Sequence, residues 1–91
     1  MKDSVTARGV VDGKVQGGGF RAFTRKRARL HAVTGYAHNQ ADGSVAFALT
    51  GPRSVVVAIL QTLEVGPMLA QVSRVDVSWQ PAEDMRGFEI R

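Results

Sequence analysis

Apolar and polar positions along this chain change their period often enough to mark out its elements. From Val5 to Val15 the sequence is rich in valine, and Val11, Gly13 and Val15 share one parity. A strand ending near Lys14 fits that period of two. Gln16-Gly17-Gly18-Gly19 follows. Three successive glycines are costly inside a regular element, so this segment is a loop. From Phe20 to Val33 the chain turns to Arg, Lys, Ala and Leu, all good helix formers. Phe23, Leu30 and Val33 share one face of that helix, with Phe20 and Ala28 flanking it. Arg27 intrudes near this stripe and has to carry its charge out to water along its apolar stem. Thr34-Gly35 is the expected stop.

Tyr36 to Gln40 is short and β-compatible, and Ala41-Asp42-Gly43-Ser44 reads as a hairpin turn around Asp-Gly. Val45, Phe47 and Leu49 then alternate with Ala46, Ala48 and Thr50, a half-buried strand closed by Gly51-Pro52. Pro52 suits the first turn of a helix. Val56, Ile59, Leu60 and Leu63 give it the cleanest apolar stripe in the chain, three and four residues apart. Branching at Val55, Val56 and Val57 weakens the helix only slightly. Gly66-Pro67 ends it. Val75, Val77 and Trp79 alternate with Asp76 and Ser78 in another strand. Pro81 to Asp84 is a loop, and Phe88 and Ile90 flank Glu89 in a terminal strand. The order is βαββαβ with a short extra strand. This is an α+β, ferredoxin-like sandwich: an antiparallel sheet of four to five strands, two helices on one face, the other face toward water. Residues 1–91 are expected to form one domain, without repeats or linkers.

Composition narrows the chemistry. Hydrophobic residues make up 44% and charged ones 22%, which is globular rather than disordered. There is no cysteine, which excludes disulfides, thiolate metal sites and a cysteine nucleophile. His31 and His38 do not have a common zinc-pair spacing, so neither a metal nor another cofactor is expected. No apolar run is long enough to span a membrane. Met1-Lys2-Asp3-Ser4 lacks the apolar segment of a signal peptide, so a cytoplasmic location is expected.

Charge is uneven: residues 1–31 hold eight basic and two acidic residues, a net +6, and the remainder is −2. A basic third can attract phosphate, RNA or anionic lipid. For Lys14, Arg25, Lys26, Arg27 and Arg29 a solvated helix face is the simpler reading.

The glycine loop lies between a strand and a helix start. Its successive backbone N–H groups can converge on an anion, and the helix end adds its positive dipole. Arg21, at the start of the helix, can fork onto phosphate oxygens. Taken alone, such a loop is more often a plain turn. It does not match the nucleotide motifs: no Lys-Ser/Thr follows the glycines, and Ala22 stands where a third spaced glycine belongs.

The run Val11-Asp12-Gly13-Lys14-Val15-Gln16-Gly17-Gly18-Gly19-Phe20-Arg21 resembles the first signature of the acylphosphatase family. Gly35-Tyr36-Ala37-His38-Asn39, then Asp42-Gly43-Ser44-Val45 and Gly51, resembles the second, at the expected separation. Gly66-Pro67 and Gly87-Phe88-Glu89-Ile90 are also similar to family positions, so the likeness covers nearly the whole chain. Three positions depart from the pattern. Gly18 stands where valine is usual, His38 where a long basic residue is usual, and Tyr36 where tryptophan is commoner.

The resemblance implies hydrolysis of the carboxylate–phosphate anhydride of an acyl phosphate, giving a carboxylate and inorganic phosphate without a cofactor. Val15, Gln16, Gly17, Gly18, Gly19, Phe20 and Arg21 would hold the phosphoryl group, and Asn39 would orient the attacking water. A carboxylate leaves readily, so no general acid is required. Holding the phosphoryl group and spreading its charge are the main needs. A monomer is expected.

The alternative is a non-catalytic ferredoxin-like domain that binds RNA or a protein partner. The six aromatics do not form the stacking signature of an RNA-recognition motif, so nucleic acid is not expected as a ligand. Without the motifs, Arg21 reads as one more solvated arginine and Asn39 as a turn residue. His38 points to the opposite strand face from Asn39 and reads as exposed or structural. His31 suits the end of the basic helix, where the dipole is negative. Phe20 and Phe23 read as core residues, and Trp79 as a sheet residue.

Overall fold

Seven elements follow one another: β1 (Ser4–Lys14), α1 (Phe20–Leu30), β2 (Thr34–Asn39), β3 (Val45–Pro52), α2 (Arg53–Val65), β4 (Gln71–Pro81) and β5 (Phe88–Ile90). The structure is a computed structural model describing residues 3–91. Met1 and Lys2, which belong to the N-terminal stretch read for a leader and for charge, lie outside the described residues. The strands form one sheet in the order β4-β1-β3-β2-β5. The first four pair antiparallel, as a ferredoxin-like sandwich requires. β5 departs from the all-antiparallel expectation and lies parallel to β2. The reason is the route of the chain. β4 ends at Pro81 opposite Val5, and β5 begins at Phe88 opposite Gly35, so both junctions lie at the starts of β1 and β2. The chain crosses at that end and then runs up beside β2 in the same direction.

Register sorts the two faces. Ala7 lies between Leu49 and Trp79, and Val11 lies between Val45 and Val75. Ala7, Val11, Val45, Phe47 and Leu49 join one core cluster with Val56, Ile59, Leu60 and Leu63 of α2. The α2 stripe is therefore buried as its spacing predicts. Truncating Leu63 to alanine in such a core costs about 2–5 kcal/mol. Pro52 closes β3 and stands as the N-cap of α2, just before its first turn rather than in it.

α1 differs from the expected helix in two ways. It ends at Leu30, short of Val33, and Thr34-Gly35 belongs to β2. The stop is local: Ala32 turns into the left-handed region at φ 53°. The Ala32 N–H donates to the Arg29 carbonyl, and the Val33 N–H donates to the Ala28 carbonyl. This is a Schellman closure made with alanine where glycine is usual. The buried stripe is Phe20, Thr24 and Ala28, four residues apart, while Leu30 is 64% exposed. Phe23 packs against the core only in part, and Arg27 lies exposed with its guanidinium 5.2 Å from the Phe23 ring centre. Thr24 is tolerated inside because its hydroxyl donates to the Phe20 carbonyl at 2.9 Å. At the far edge, Val77 (37%) and Trp79 (39%) stay partly exposed. The Arg53 guanidinium sits 4.7 Å from the Trp79 ring centre.

The open face of the sheet carries a paired polar network. Arg8 forks onto Glu83 with bonds of 2.9 and 2.8 Å, donates to the Tyr36 hydroxyl at 2.7 Å and reaches Gln80 at 3.2 Å. The Thr6 and Thr50 hydroxyls bond each other at 2.6 Å, and the Glu83 N–H donates to Thr6. These bonds strap the segment between β4 and β5 onto the face that the helices leave free.

Candidate active site

The carboxyl ends of β1, β2 and β5 meet the amino end of α1, and the glycine loop joins β1 to α1. Two glycines give the loop its path: Gly17 at φ 80° and Gly19 at φ 79° occupy the left-handed region that side chains disfavour. Gly19 is also the N-cap of α1. It supplies no side-chain cap, and the first turn has no acidic residue. Among the described residues, no backbone hydrogen bond outside the strands and helices uses an N–H from Val15 to Phe20. A row of free N–H groups on a helix amino end is an electropositive concavity.

A cavity of about 200 Å³ lies against this loop. Val15, Gly17, Gly19, Phe20 and Arg21 line one side, and Asn39 and Ile90 enter from the ends of β2 and β5. Six of the expected site residues, counting Asn39, thus share one cavity. Gln16 and Gly18 do not line it. They face a second recess with Lys14, Gly43 and Leu69.

The Gln16 side chain has a different task. Its amide donates to the Gln40 carbonyl at 2.7 Å and to the Ser44 carbonyl at 2.9 Å. It ties the glycine loop to the β2–β3 turn, which begins next to Asn39. Asp42 tightens the same turn by accepting from the Ser44 hydroxyl and the Ser44 N–H. Those bonds, the hydroxyl's first, hold the Asp42 carboxyl below its ordinary value.

Arg21 reaches across to β5. Its guanidinium donates to the main-chain oxygen of Arg91 at 3.0 Å. Arg91 is itself docked, with its N–H on the Ala37 carbonyl at 2.8 Å and its guanidinium 4.1 Å from the Tyr36 ring centre. Asn39 is half-buried, and no hydrogen bond of the described residues uses its side-chain amide. His38 is exposed and paired with Ala46, on the face opposite Asn39, as strand alternation predicts. At Gly18 a side chain fits: its first carbon would meet Leu69 atoms at 3.4–3.6 Å, ordinary contact.

Sequence reasoning did not foresee the side-chain role of Gln16 or the docking of Arg91. Both act on backbone carbonyls of distant elements, which leave no pattern in the sequence.

The fold and the cavity define a small ferredoxin-like sandwich with an anion-ready loop at its strand ends. The model of one family, acylphosphatase, matches residues 7–90. The chain belongs to the acylphosphatase family, enzymes that act on acid anhydrides. The acylphosphatase of Salinibacter ruber is 44% identical over 88 residues, covering 96% of this chain and 90% of that one. The solved structure of an acylphosphatase from Coxiella burnetii superposes with a TM-score of 0.94 at 33% identity, covering 99% of this chain and 95% of that one. The crystal structure of acylphosphatase from Bacillus subtilis gives 0.92 at 28% identity, covering 96% and 98%. The expectation drawn from the two signatures is met at the level of family and fold.

Proposed function

We propose that the chain hydrolyses acyl phosphates in the cavity between the glycine loop, Arg21 and Asn39. The phosphoryl group sits against the free N–H groups of Val15 to Phe20, with the Arg21 guanidinium on its oxygens. These donors spread the charge that builds up in the transition state. The Asn39 amide, which has no partner among the described residues, holds a water in line with the scissile bond. The water oxygen forms a bond to phosphorus as the bond from phosphorus to the carboxylate oxygen breaks. The electron pair leaves with the carboxylate, and the water's proton passes to a phosphate oxygen. Inorganic phosphate and a free carboxylate result. The carboxylate is a weak base, so the step calls for neither a general acid nor a side-chain base.

One observation carries this reading: the cationic Arg21, Asn39 and the glycine loop line a single cavity. All these groups come from one chain, so we take the working unit to be the monomer, a single domain over 1–91. We take the cytoplasm as its compartment, which suits a chain without disulfides. The test is hydrolysis of benzoyl phosphate with EDTA present, comparing the parent with Arg21→Ala and Asn39→Ala. The parent should turn over, and each variant should lose about 10²-fold or more in kcat. An undiminished rate in either variant removes that residue from the mechanism.

A further inference from the structure

A hollow larger than the loop cavity lies beside it. It is a trough of about 490 Å³ on the outer side of α1, lined by Ala22, Arg25, Lys26, Arg29 and Leu30. These positions are three and four residues apart, so they form one stripe down the helix. Ala22 lines both the trough and the loop cavity, so the two adjoin. Arg25 lies one turn beyond Arg21, about 5–6 Å away between side-chain roots.

The charge on this stripe is unbalanced. α1 carries Arg21, Arg25, Lys26, Arg27 and Arg29 and no acidic residue. The ion pairs among the described residues are Arg8–Glu83, Arg74–Asp76 and Arg91–Glu89, and none includes α1. Arg27 and Arg29 stand in the last turn, where the helix dipole favours cations. Arg29 also reaches the Phe88 carbonyl at 3.4 Å. Neither explanation reaches Arg25 and Lys26. They stand mid-helix, with Arg21 and Arg29 a turn away on either side of Arg25, and like charges at that spacing destabilise a helix. A merely solvated face would intersperse glutamates.

We propose that Arg25 and Lys26, backed by Arg29, form a subsite for a second anionic group, a carboxylate or phosphate monoester, on the acyl chain of the substrate. The proposal rests on the reading of the loop cavity as the acyl phosphate site. With the phosphoryl group at Arg21, a short acyl chain runs over Ala22 toward Arg25. Its carbons lie on Ala22 and the methylene stems of Arg25 and Lys26. Its terminal anion meets Arg25 and Lys26. The subsite distinguishes acyl phosphates with a charged tail from those with an apolar one.

The experiment compares kcat/KM for succinyl phosphate, which carries a free carboxylate, with that for butyryl phosphate, its apolar match in length. Parent and the Arg25→Gln/Lys26→Gln double variant are both assayed, with a urea titration to confirm that the variant is folded. The parent should favour succinyl phosphate by about three- to tenfold, the scale of two solvent-exposed charge pairs. In the variant that ratio should fall toward one, through a higher KM for succinyl phosphate. A parent ratio near one, or a ratio kept in the variant, overturns the subsite. Micromolar binding of an RNA oligonucleotide that is lost in the variant, with a parent ratio near one, would assign the stripe to a polyanion instead and likewise overturn it. If the parent hydrolyses neither compound, the reading of the loop cavity itself fails, which is a distinct result.

Discussion

The open face of the sheet and the carboxyl end of the strands use the same kinds of side chain to opposite ends. On the open face, Arg8 is fully engaged by Glu83, Tyr36 and Gln80, and the threonines bond each other. At the strand ends, among the described residues, Arg21 has one bond, to the main-chain oxygen of Arg91, and the Asn39 amide and the loop N–H groups have none. Paired polar groups fix the fold, because breaking them strands a partner. Unpaired ones at a rim are left to water and are free to take a ligand. The contrast separates two arginines that composition alone treats as equal.

Mutations can break or sharpen that contrast. The largest effect is on rate. Arg21→Ala or Asn39→Ala should cut kcat on benzoyl phosphate by about 10²-fold or more. The urea-derived stability should stay within about 0.5 kcal/mol of the parent. Arg8→Ala should show the reverse pattern. It should lose about 1–2 kcal/mol of stability, with kcat per folded molecule unchanged. If Arg8→Ala abolished turnover in folded protein, the division between the two regions would be wrong.

A smaller effect is expected at the end of α1. Ala32→Gly relieves a left-handed alanine, so it should raise stability by about 0.5–1 kcal/mol and leave the rate alone. Thermal melts would show it as a higher midpoint. Gly18→Val should be milder still. Gly18 needs no left-handed backbone, and valine would pack on the exposed Leu69. A gain of a few tenths of a kcal/mol with kcat within about twofold is expected. A collapse in rate would mean that the loop requires its freedom there.

The weakest handle is pH. The Asp42 carboxyl is held below its ordinary 3.8 by bonds from Ser44. A depressed carboxyl stabilises the fold above its unfolded value, and that stability is lost as pH falls through the lower folded value. The hairpin beside Asn39 should therefore be insensitive to pH near neutrality and loosen only below about pH 3.8, the unfolded value. Amide exchange at Gly43 and Ser44 would report it. Loosening already at pH 6 would contradict the Asp42–Ser44 clamp.

Most of the architecture was legible because α2 and β3 carry strong, unambiguous periods. α1 was misread in phase and length for physical reasons. Thr24 and Ala28 form its buried stripe, yet neither looks apolar enough to outvote Leu30. Its end is set by an alanine in a glycine-like conformation, which no residue pattern signals. The parallel β5 follows from the route of the preceding segment, fixed by the Arg8–Glu83 strap some 75 residues apart in the chain. At the site, the loop, Arg21 and Asn39 were visible as motif residues. Gln16 was visible only as loop backbone. Its anchoring bonds span 24 and 28 residues to carbonyls, which any sequence could offer.

The most direct test of the anion site is a titration of the isotopically labelled protein with inorganic phosphate, followed amide by amide. The predicted result is saturable shifts at the N–H groups of residues 15–22 and the Asn39 side-chain amide, all lost in Arg21→Ala. Shifts centred on the open face around Arg8 and Tyr36, or a loop that stays silent while phosphate binds elsewhere, would contradict it.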